Sequence, residues 1–533
     1  MPKDCVSYQN SEYFSKLIID YLNEKPALKN LYNHFPTIES FELQIKEKRV
    51  NYNSSDNFKR QVLVDALENQ YSKLEKSEKT KHNIALLSSK NTFTITTGHQ
   101  LNLLTGPLYF LYKIVSVINL TKELKKEYPE YNFVPIYWMA SEDHDFEEIN
   151  HFNFNGNKIK WNRESNGPVG RLSTEGLKEV FDLFSKEIGI GNNANYLKEL
   201  FKNAYLKHKN LADATRFLVN ELFTSEGLVI IDGDDKELKK LFIPYIKEEL
   251  LKQISYNEVN KTNEALKEYK IQVNPREINL FYILDDLRER IIFDKNTYFI
   301  NNTKLEFSEL EILIELENYP ERFSPNVILR PLYQEVILPN LCYIGGGGEL
   351  AYWFELKSNF EANAVTFPIL LLRNSVLVAT EKQIKKAHKL NLSWNDLFLN
   401  QEKLVKQKTK ELSEFKIDFT EQKNYLSQQF LKLAEIAIRT DKSFIGAVKA
   451  QEAKQIKGLD NLEKRLLKAE KKQHSEKITQ IVQLQNELFP KKILQERTIN
   501  ISSIIELENF DTFLNELLDK VKPLEQNFTV IKI

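Results

Sequence analysis

The stretch SEDHDFEEINH, Ser141 to His151, holds five carboxylates and two imidazoles in eleven residues. Like charges at that density repel one another unless something divides them. The apolar run FVPIYWMA leads straight into this stretch. If the run is a strand, Glu142, Asp143, His144 and Asp145 lie at its carboxyl end, where open α/β sheets collect ligands. These four are the candidate catalytic residues. His144 is the first choice as general base, because its side chain titrates closest to neutral pH. Its flanking carboxylates would steady the ring, and Glu142 or Asp145 would alternatively hold an amine. The DHD triplet has the donor types of a divalent-ion site. Its spacing matches no zinc signature such as HExxH, so no metal ligand is assigned. A plainer reading covers Glu147 and Glu148, since acidic residues favour a helix's first turn.

Two further stretches have chemical character. In TTGHQLNLLTGPLYFLYK (96–113) a strand leads through a polar loop into a helix. Gly98, Thr105 and Gly106 shape that loop, and its backbone N–H groups would face an anion. His99 and Gln100 would donate to a phosphate or carboxylate oxygen. In LRPLYQEVILPNLCYIGGGGELAYWFELK (329–357) four glycines, Gly345, Gly346, Gly347 and Gly348, stand between a strand and a helix. Such a loop lets backbone approach a phosphate. It is neither GxGxxG nor GxxxxGK[ST], so it identifies no standard nucleotide fold. Glu349 starts the helix, Tyr352 and Trp353 offer an aromatic wall, and Arg330 and Gln334 share a helical face. Cys342 reads as a small apolar filler of a buried strand.

The elements that would position these residues follow from periodicity. TFTITTG (92–98), FVPIYWMA (133–140), LVIID (228–232), NLCYI (340–344) and TFPILLL (366–372) read as strands alternating with helices. That alternation implies a mostly parallel, Rossmann-like α/β sheet covered on both faces. Residues 1–90 read as a helical segment packing on the core, and 91–380 as the core itself. Insertions are expected at about 151–225 and 255–325. HFNFNGNKIKWN (151–162) should be a hairpin turning at Asn155-Gly156, and residues 278–307 a small antiparallel patch. From 381 to 490 charged helical faces carry two apolar stripes. Leu426, Phe430, Leu433, Ala437 and Phe444 form one, and Leu459, Leu462, Leu466 and Ala469 the other. A break at RTDKS (439–443) predicts an antiparallel coiled-coil hairpin. Residues 491–533 should return to the core.

The chain of 533 residues exceeds one compact core. Its 74 basic and 75 acidic residues nearly cancel, which argues against a general nucleic-acid or acidic-membrane binder. Cys5 and Cys342 are the only cysteines, and with no basic-then-apolar leader a reducing, cytoplasmic setting is expected. The most apolar run, PILLLRNSVLVA (368–379), is interrupted by Arg373 and too short to span a bilayer.

TGHQLNLLTGPLY, PIYWMASEDHDFEEINH, SPNVILRPLYQEVILPNLCYIGGGGELAYW and the late LQERTIN (494–500), in that order, resemble the bacillithiol biosynthesis cysteine-adding enzyme family, BshC. The resemblance spans nearly the whole chain. It implies a Rossmann-like core with inserted connecting-peptide subdomains and a coiled-coil arm, adenine-nucleotide binding and a homodimer. It further implies a ligase joining L-cysteine to glucosaminyl-malate in the last step of bacillithiol biosynthesis. ATP with Mg²⁺ would activate the cysteine carboxylate, and Arg330 and Arg497 would meet anionic groups. Relatives resemble one another in a second glutamine where this chain has His99, which makes His99 a residue that orients substrate. The HxGH and KMSKS segments by which class I synthetases hold ATP are absent. Two rival readings are a metal-dependent hydrolase built on residues 142–148, and a coiled-coil interaction protein without catalysis.

Overall fold

The computed structural model describes residues 6–9, 11–53 and 58–533; Cys5 lies outside them. The chain forms two compact units. Ser7–Val378 and Leu494–Ile533 make the larger, and Ala379–Ile493 belong to the second.

The larger unit is built on five parallel strands. They are β1 (Thr92–His99), β2 (Asn132–Met139), β3 (Val229–Asp232), β4 (Asn340–Gly345) and β5 (Ile369–Leu372), in the spatial order β5-β4-β1-β2-β3. All eight residues of β1 are buried, as expected where helices cover both faces. Register is continuous along the centre, from Thr92 opposite Asn132 to His99 opposite Met139. Helix α1 (Tyr109–Glu127) packs on β1 and β2, and helix Ser40–Asn53 packs on β4. Phe93, Ile95, Val117, Leu341 and Ile369 share the central core with Phe41 and Ile45. Successive strands step one way from β1 through β2 to β3, then the other way to β4 and β5. The order therefore reverses between β1 and β4, and a crevice must open at their carboxyl ends. Helix α2 (Leu329–Ile337) runs into β4, and helix α3 (Gly347–Phe354) leaves it.

The expected insertions are present. His151–Phe154 and Asn157–Lys160 pair as a hairpin, with Asn155 and Gly156 both at positive φ, the backbone of a type I′ turn. Between β3 and α2, the strands Leu280–Leu284, Leu287–Asp294, Thr297–Ile300, Glu306–Ser308 and Phe323–Pro325 form an antiparallel sheet.

The second unit is helical. Helices α4 (Thr420–Ile438) and α5 (Lys442–Gln473) form the hairpin, with Asp441 capping α5 through the Ser443 N–H. Their antiparallel pairing is fixed by Lys423 against Asp460 and Glu463 at one end and Phe430, Ala437 and Val448 packing further along. The stripes are only partly used. Phe430 and Ala437 are buried, while Leu433, Phe444 and Leu462 stay about half exposed. Among the described residues no helix is long and apolar enough to cross a membrane.

One buried ion pair sits beneath the crevice. Lys48 Nζ lies 3.0 Å from Glu335 Oε2, both side chains almost wholly out of water. Glu335 Oε1 also accepts from Gln334 Nε2 and Asn340 Nδ2. Removing one partner strands the other's charge. Lys48→Met should therefore cost about 3 kcal/mol of stability, and Lys48→Met with Glu335→Gln should cost less than the single change. Urea unfolding followed by tryptophan fluorescence measures both, because Trp138, Trp161 and Trp353 all lie in this unit.

Candidate functional site

At the reversal point between β1 and β4 lies a cavity of about 460 Å³. Gly98, His99 and Gln100 enter it from the end of β1, and Trp138 to Asp143 from the end of β2. Gly346, Gly347, Gly348, Glu349 and Tyr352 enter from α3, and Arg330 from α2. Three stretches far apart in sequence thus share one hollow.

Its floor is an ion pair. Lys113, one helical turn after Tyr109 on α1, is 2% exposed. Its Nζ lies 2.6 Å from Glu349 Oε2 and donates to the Gly98 carbonyl at 2.8 Å. Glu349 also accepts from the Gly346 N–H at 2.8 Å and from the Tyr343 hydroxyl at 2.9 Å. Burial opposes its charge, but Lys113 and these donors outweigh that and hold its pKa below the ordinary value. Burial lowers the pKa of Lys113, against the pull of Glu349. The cavity approaches β1 so closely that a Cβ on Gly98 would sit 3.2 Å from the Tyr343 hydroxyl.

Cations dominate the walls. Arg330 NH1 donates to Gln334 Oε1 at 3.0 Å, while its buried NH2 has no partner among the described residues. Arg373 donates to Glu496 Oε1 at 2.6 Å and to the Asn374 carbonyl, and its buried Nε is likewise unpartnered among them. Arg288 lies flat on the Phe281 ring, 3.8 Å from its centre. Arg497 reaches in from the C-terminal segment. Its neighbours explain the LQERTIN stretch. Gln495 bonds both the N–H and the carbonyl of Val378, and Glu496 seats Arg373.

His99 is 7% exposed, and its Nε2 has no partner among the described residues. Burial first, then Lys113 and Arg373, push its pKa well below the ordinary value of 6.5. The imidazole is neutral.

The acidic stretch divides its charges. Glu142 pairs with buried Lys239 at 2.5 Å. Asp143 accepts from Gln100 Nε2 at 2.9 Å and from the His144 N–H at 2.8 Å. Burial works against its charge, yet His144, Gln100 and Arg288 together hold its carboxyl far below the usual range. His144 and Asp145 are exposed and are not part of the cavity wall. Arg288 NH1 lies 2.7 Å from His144 Nδ1. The same Nδ1 lies 3.7 Å from Asp143 Oδ1. His144 is the sequence's first choice as general base; the structure places it outside the cavity, against Arg288 and Asp143. The donor atoms of Asp143, His144 and Asp145 lie within 4.8 Å of one another, close enough for an ion. The same guanidinium sits against one of the two ring nitrogens, Nδ1.

Other sequence expectations fall elsewhere. Gln334 is fully buried behind Arg330 and links it to Glu335. Trp353 is core, stacked on Tyr343 at 4.5 Å, and is no wall of the cavity. Gly345 ends β4 inside the sheet, where a Cβ would meet Tyr343 at 2.9 Å. In the glycine run the Gly346 N–H is taken by Glu349 rather than left for an anion. The 103–108 loop does not present an anion nest either. Leu104 N–H donates to Tyr205, Gly106 N–H to Leu103 and Leu108 N–H to Ile499, while Asn500 holds the carbonyls of Leu104 and Gly106. Thr105 is buried outside the cavity wall.

Sequence reasoning passed over Lys113, Arg288 and Arg373. Lys113 follows Tyr109 by four residues on a helix entering from a site loop, a signal that was present. Arg373 directly follows β5, the placement that marked Glu142. Arg288 comes from an inserted sheet, and no local pattern announces it.

Residues 1–374 match the model described as "Bacillithiol biosynthesis BshC, N-terminal Rossmann-like domain". Residues 376–533 match "Bacillithiol biosynthesis BshC, C-terminal coiled-coil domain". A Flavobacterium johnsoniae protein named "Putative cysteine ligase BshC" is 65% identical over 533 residues, all of both chains. Proteins of the same name from Flavobacterium psychrophilum and Christiangramia forsetii are 63% and 56% identical. They cover all of this chain and 100% and 99% of their own.

Because native His99 refuses a proton that the unfolded chain accepts, stability should fall as pH drops below about 6.5. The unfolded state binds more protons there, so the sign is acid destabilisation. His99→Gln should shrink the loss between pH 7 and pH 5 by up to about 2 kcal/mol. Urea unfolding at the two pH values reads this directly.

Proposed function

The chain belongs to the bacillithiol biosynthesis BshC family, and from that premise we propose that it is a ligase joining L-cysteine to glucosaminyl-malate. The observation that carries the reading is the cavity itself: arginines and a lysine around one neutral imidazole, at the strand-order reversal. Amide formation needs an activated carboxyl, a positioned amine and somewhere for the amine's proton to go. ATP, entering as its Mg²⁺ complex, would supply the activation as an acyl-adenylate or acyl-phosphate. The glucosamine nitrogen then attacks the carbonyl carbon, the amide C–N bond forms and the phosphorus-bearing group leaves.

The residues divide that work. Arg330, Arg288 and Arg497 receive malyl carboxylate or phosphate oxygens, which guanidinium forks match in geometry. Tyr352 closes the wall beside Arg330. Asp143, held ionised, receives an ammonium group. Glu142 fixes the loop through Lys239. His99 Nε2 takes the proton of the attacking amine, a role beyond the substrate-orienting one that the family resemblance implies. An anionic substrate beside the ring would raise its depressed basicity towards neutrality. The helical unit exposes Leu431, Ile436 and Ile438 on α4, an apolar surface that supports assembly into a homodimer.

Reconstitution with L-cysteine, glucosaminyl-malate, ATP and Mg²⁺, followed by mass spectrometry, should yield the cysteinyl amide with stoichiometric AMP or ADP. Product without nucleotide turnover, or no product, rejects the ATP-dependent ligase. His99→Ala should cut turnover by roughly 10²–10⁴ fold, and His144→Ala by no more than about threefold. The reverse ranking returns the proton to His144. Light scattering at micromolar concentration should give twice the chain mass of 62.6 kDa. A single-chain mass refutes the dimer.

A further inference from the structure

A second cavity, of about 170 Å³, lies against the first, and Gln100 and Tyr109 line both. Its chemistry is different. Its wall holds no lysine or arginine; amides, one carboxylate, one imidazole and the hydroxyls of Tyr109 and Thr498 supply the polar groups. Asn102 is 8% exposed, and its Oδ1 has no partner among the described residues. Its Nδ2 is occupied by the Glu148 carbonyl at 3.1 Å. Asn153 comes from the hairpin strand, and its amide is steadied by the Thr498 carbonyl at 3.1 Å. His151 stands beside it, with Tyr109 in the same wall; Phe152, between His151 and Asn153 on the strand, turns its ring to Phe184. On the border, the Gln100 amide donates at 2.9 Å to both Asp143 and Glu148.

These features select a ligand class. An anion would meet Glu148 with no cation in the wall to balance it. A wholly apolar group would leave the buried Asn102 oxygen without a partner. A neutral polyol satisfies amides and imidazole, which offer donors and acceptors alike, and sets its C–H face on Tyr109. An amine on the same ring would be drawn to the border, where two carboxylates converge on one amide.

We infer that this small cavity is the aminosugar subsite. Asn102, His151 and Asn153 take hydroxyl groups, and Asp143 and Glu148 take the amine. The acidic half of the same molecule then lies across Gln100 among the arginines. The assignment rests on the substrate proposed above, and it places the reacting nitrogen at the boundary of the two cavities.

The test is calorimetric titration of the full chain with two probes, glucosaminyl-malate and L-malate. Glu148→Gln and His151→Ala should weaken glucosaminyl-malate by about tenfold or more and change L-malate by less than about twofold. His151→Trp, which fills the cavity, should give the same pattern. Arg330→Gln should weaken both probes. Unchanged glucosaminyl-malate affinity in Glu148→Gln and His151→Trp, with Arg330→Gln still weakened, overturns the subsite and leaves the substrate standing. Equal weakening of both probes by the cavity variants also overturns it. If the wild-type chain fails to bind glucosaminyl-malate, the substrate reading falls and takes the subsite with it.

Discussion

A buried lysine–glutamate pair governs how this site is built. Lys113 belongs to the helix after β1, and Glu349 to the helix after β4. These are the two strands between which the sheet order reverses. Side chains from diverging helices would otherwise leave the crevice free to widen or collapse. Lys113 binds the last turn of β1 through the Gly98 carbonyl, and Glu349 binds the exit of β4 through the Gly346 N–H. Four elements are thereby fixed to one point. A buried pair adds little net stability over an apolar substitute, yet losing one member costs about 3–5 kcal/mol. What the pair provides is geometry, and every other polar group of the cavity is placed relative to it.

The cations around it are held from behind. Arg330 leans on Gln334, which leans on Glu335, which pairs with Lys48. Arg373 leans on Glu496. In each chain the carboxylate lies on the side away from the cavity, so the guanidinium is positioned without being fully neutralised. Arg288 uses a ring face and a histidine instead of a carboxylate. A chain with nearly balanced charge thus presents a basic hollow: Lys113, Arg288, Arg330, Arg373 and Arg497 line it against Glu142, Asp143 and Glu349, and Glu335 and Glu496 stand behind.

Parallel strands were legible because, covered on both faces, they are continuous apolar runs. All five could be read that way, and the hairpin from its Asn155-Gly156 turn. Parallel strands share one carboxyl rim, which is why Gly98, Asp143, Arg330 and Glu349 could be placed together from sequence; the reversal between β1 and β4 was not readable there. Orientation was not legible. Residues 142–145 follow the end of β2 as an irregular turn with no alternation to orient them: Glu142 and Asp143 line the hollow while His144 and Asp145 are exposed. Trp353 and Tyr352 divide because successive residues on α3 point about 100° apart. In the glycine run Glu349, three residues on, takes the Gly346 N–H, while Gly346, Gly347 and Gly348 line the hollow.

The density of charge in residues 141–148 finds its explanation in direction. Glu142 points to Lys239, Asp143 to Gln100 and Arg288, Glu147 to Lys160, and Glu148 to Gln100. The repulsion expected of such a sequence is relieved because Glu142, Asp143, Glu147 and Glu148 take partners from other parts of the chain, while Asp145 is exposed. Asp143 and Glu148 share a partner, since they converge on one amide nitrogen. A carboxamide cannot neutralise two charges; it can only bridge them. The residual field at Gln100 is therefore negative, and it lies beside a hollow whose field is positive. A molecule carrying a carboxylate and an amine a few bonds apart is matched to that gradient. The same gradient disfavours a reversed orientation, which would bring carboxylate to carboxylate and ammonium to guanidinium.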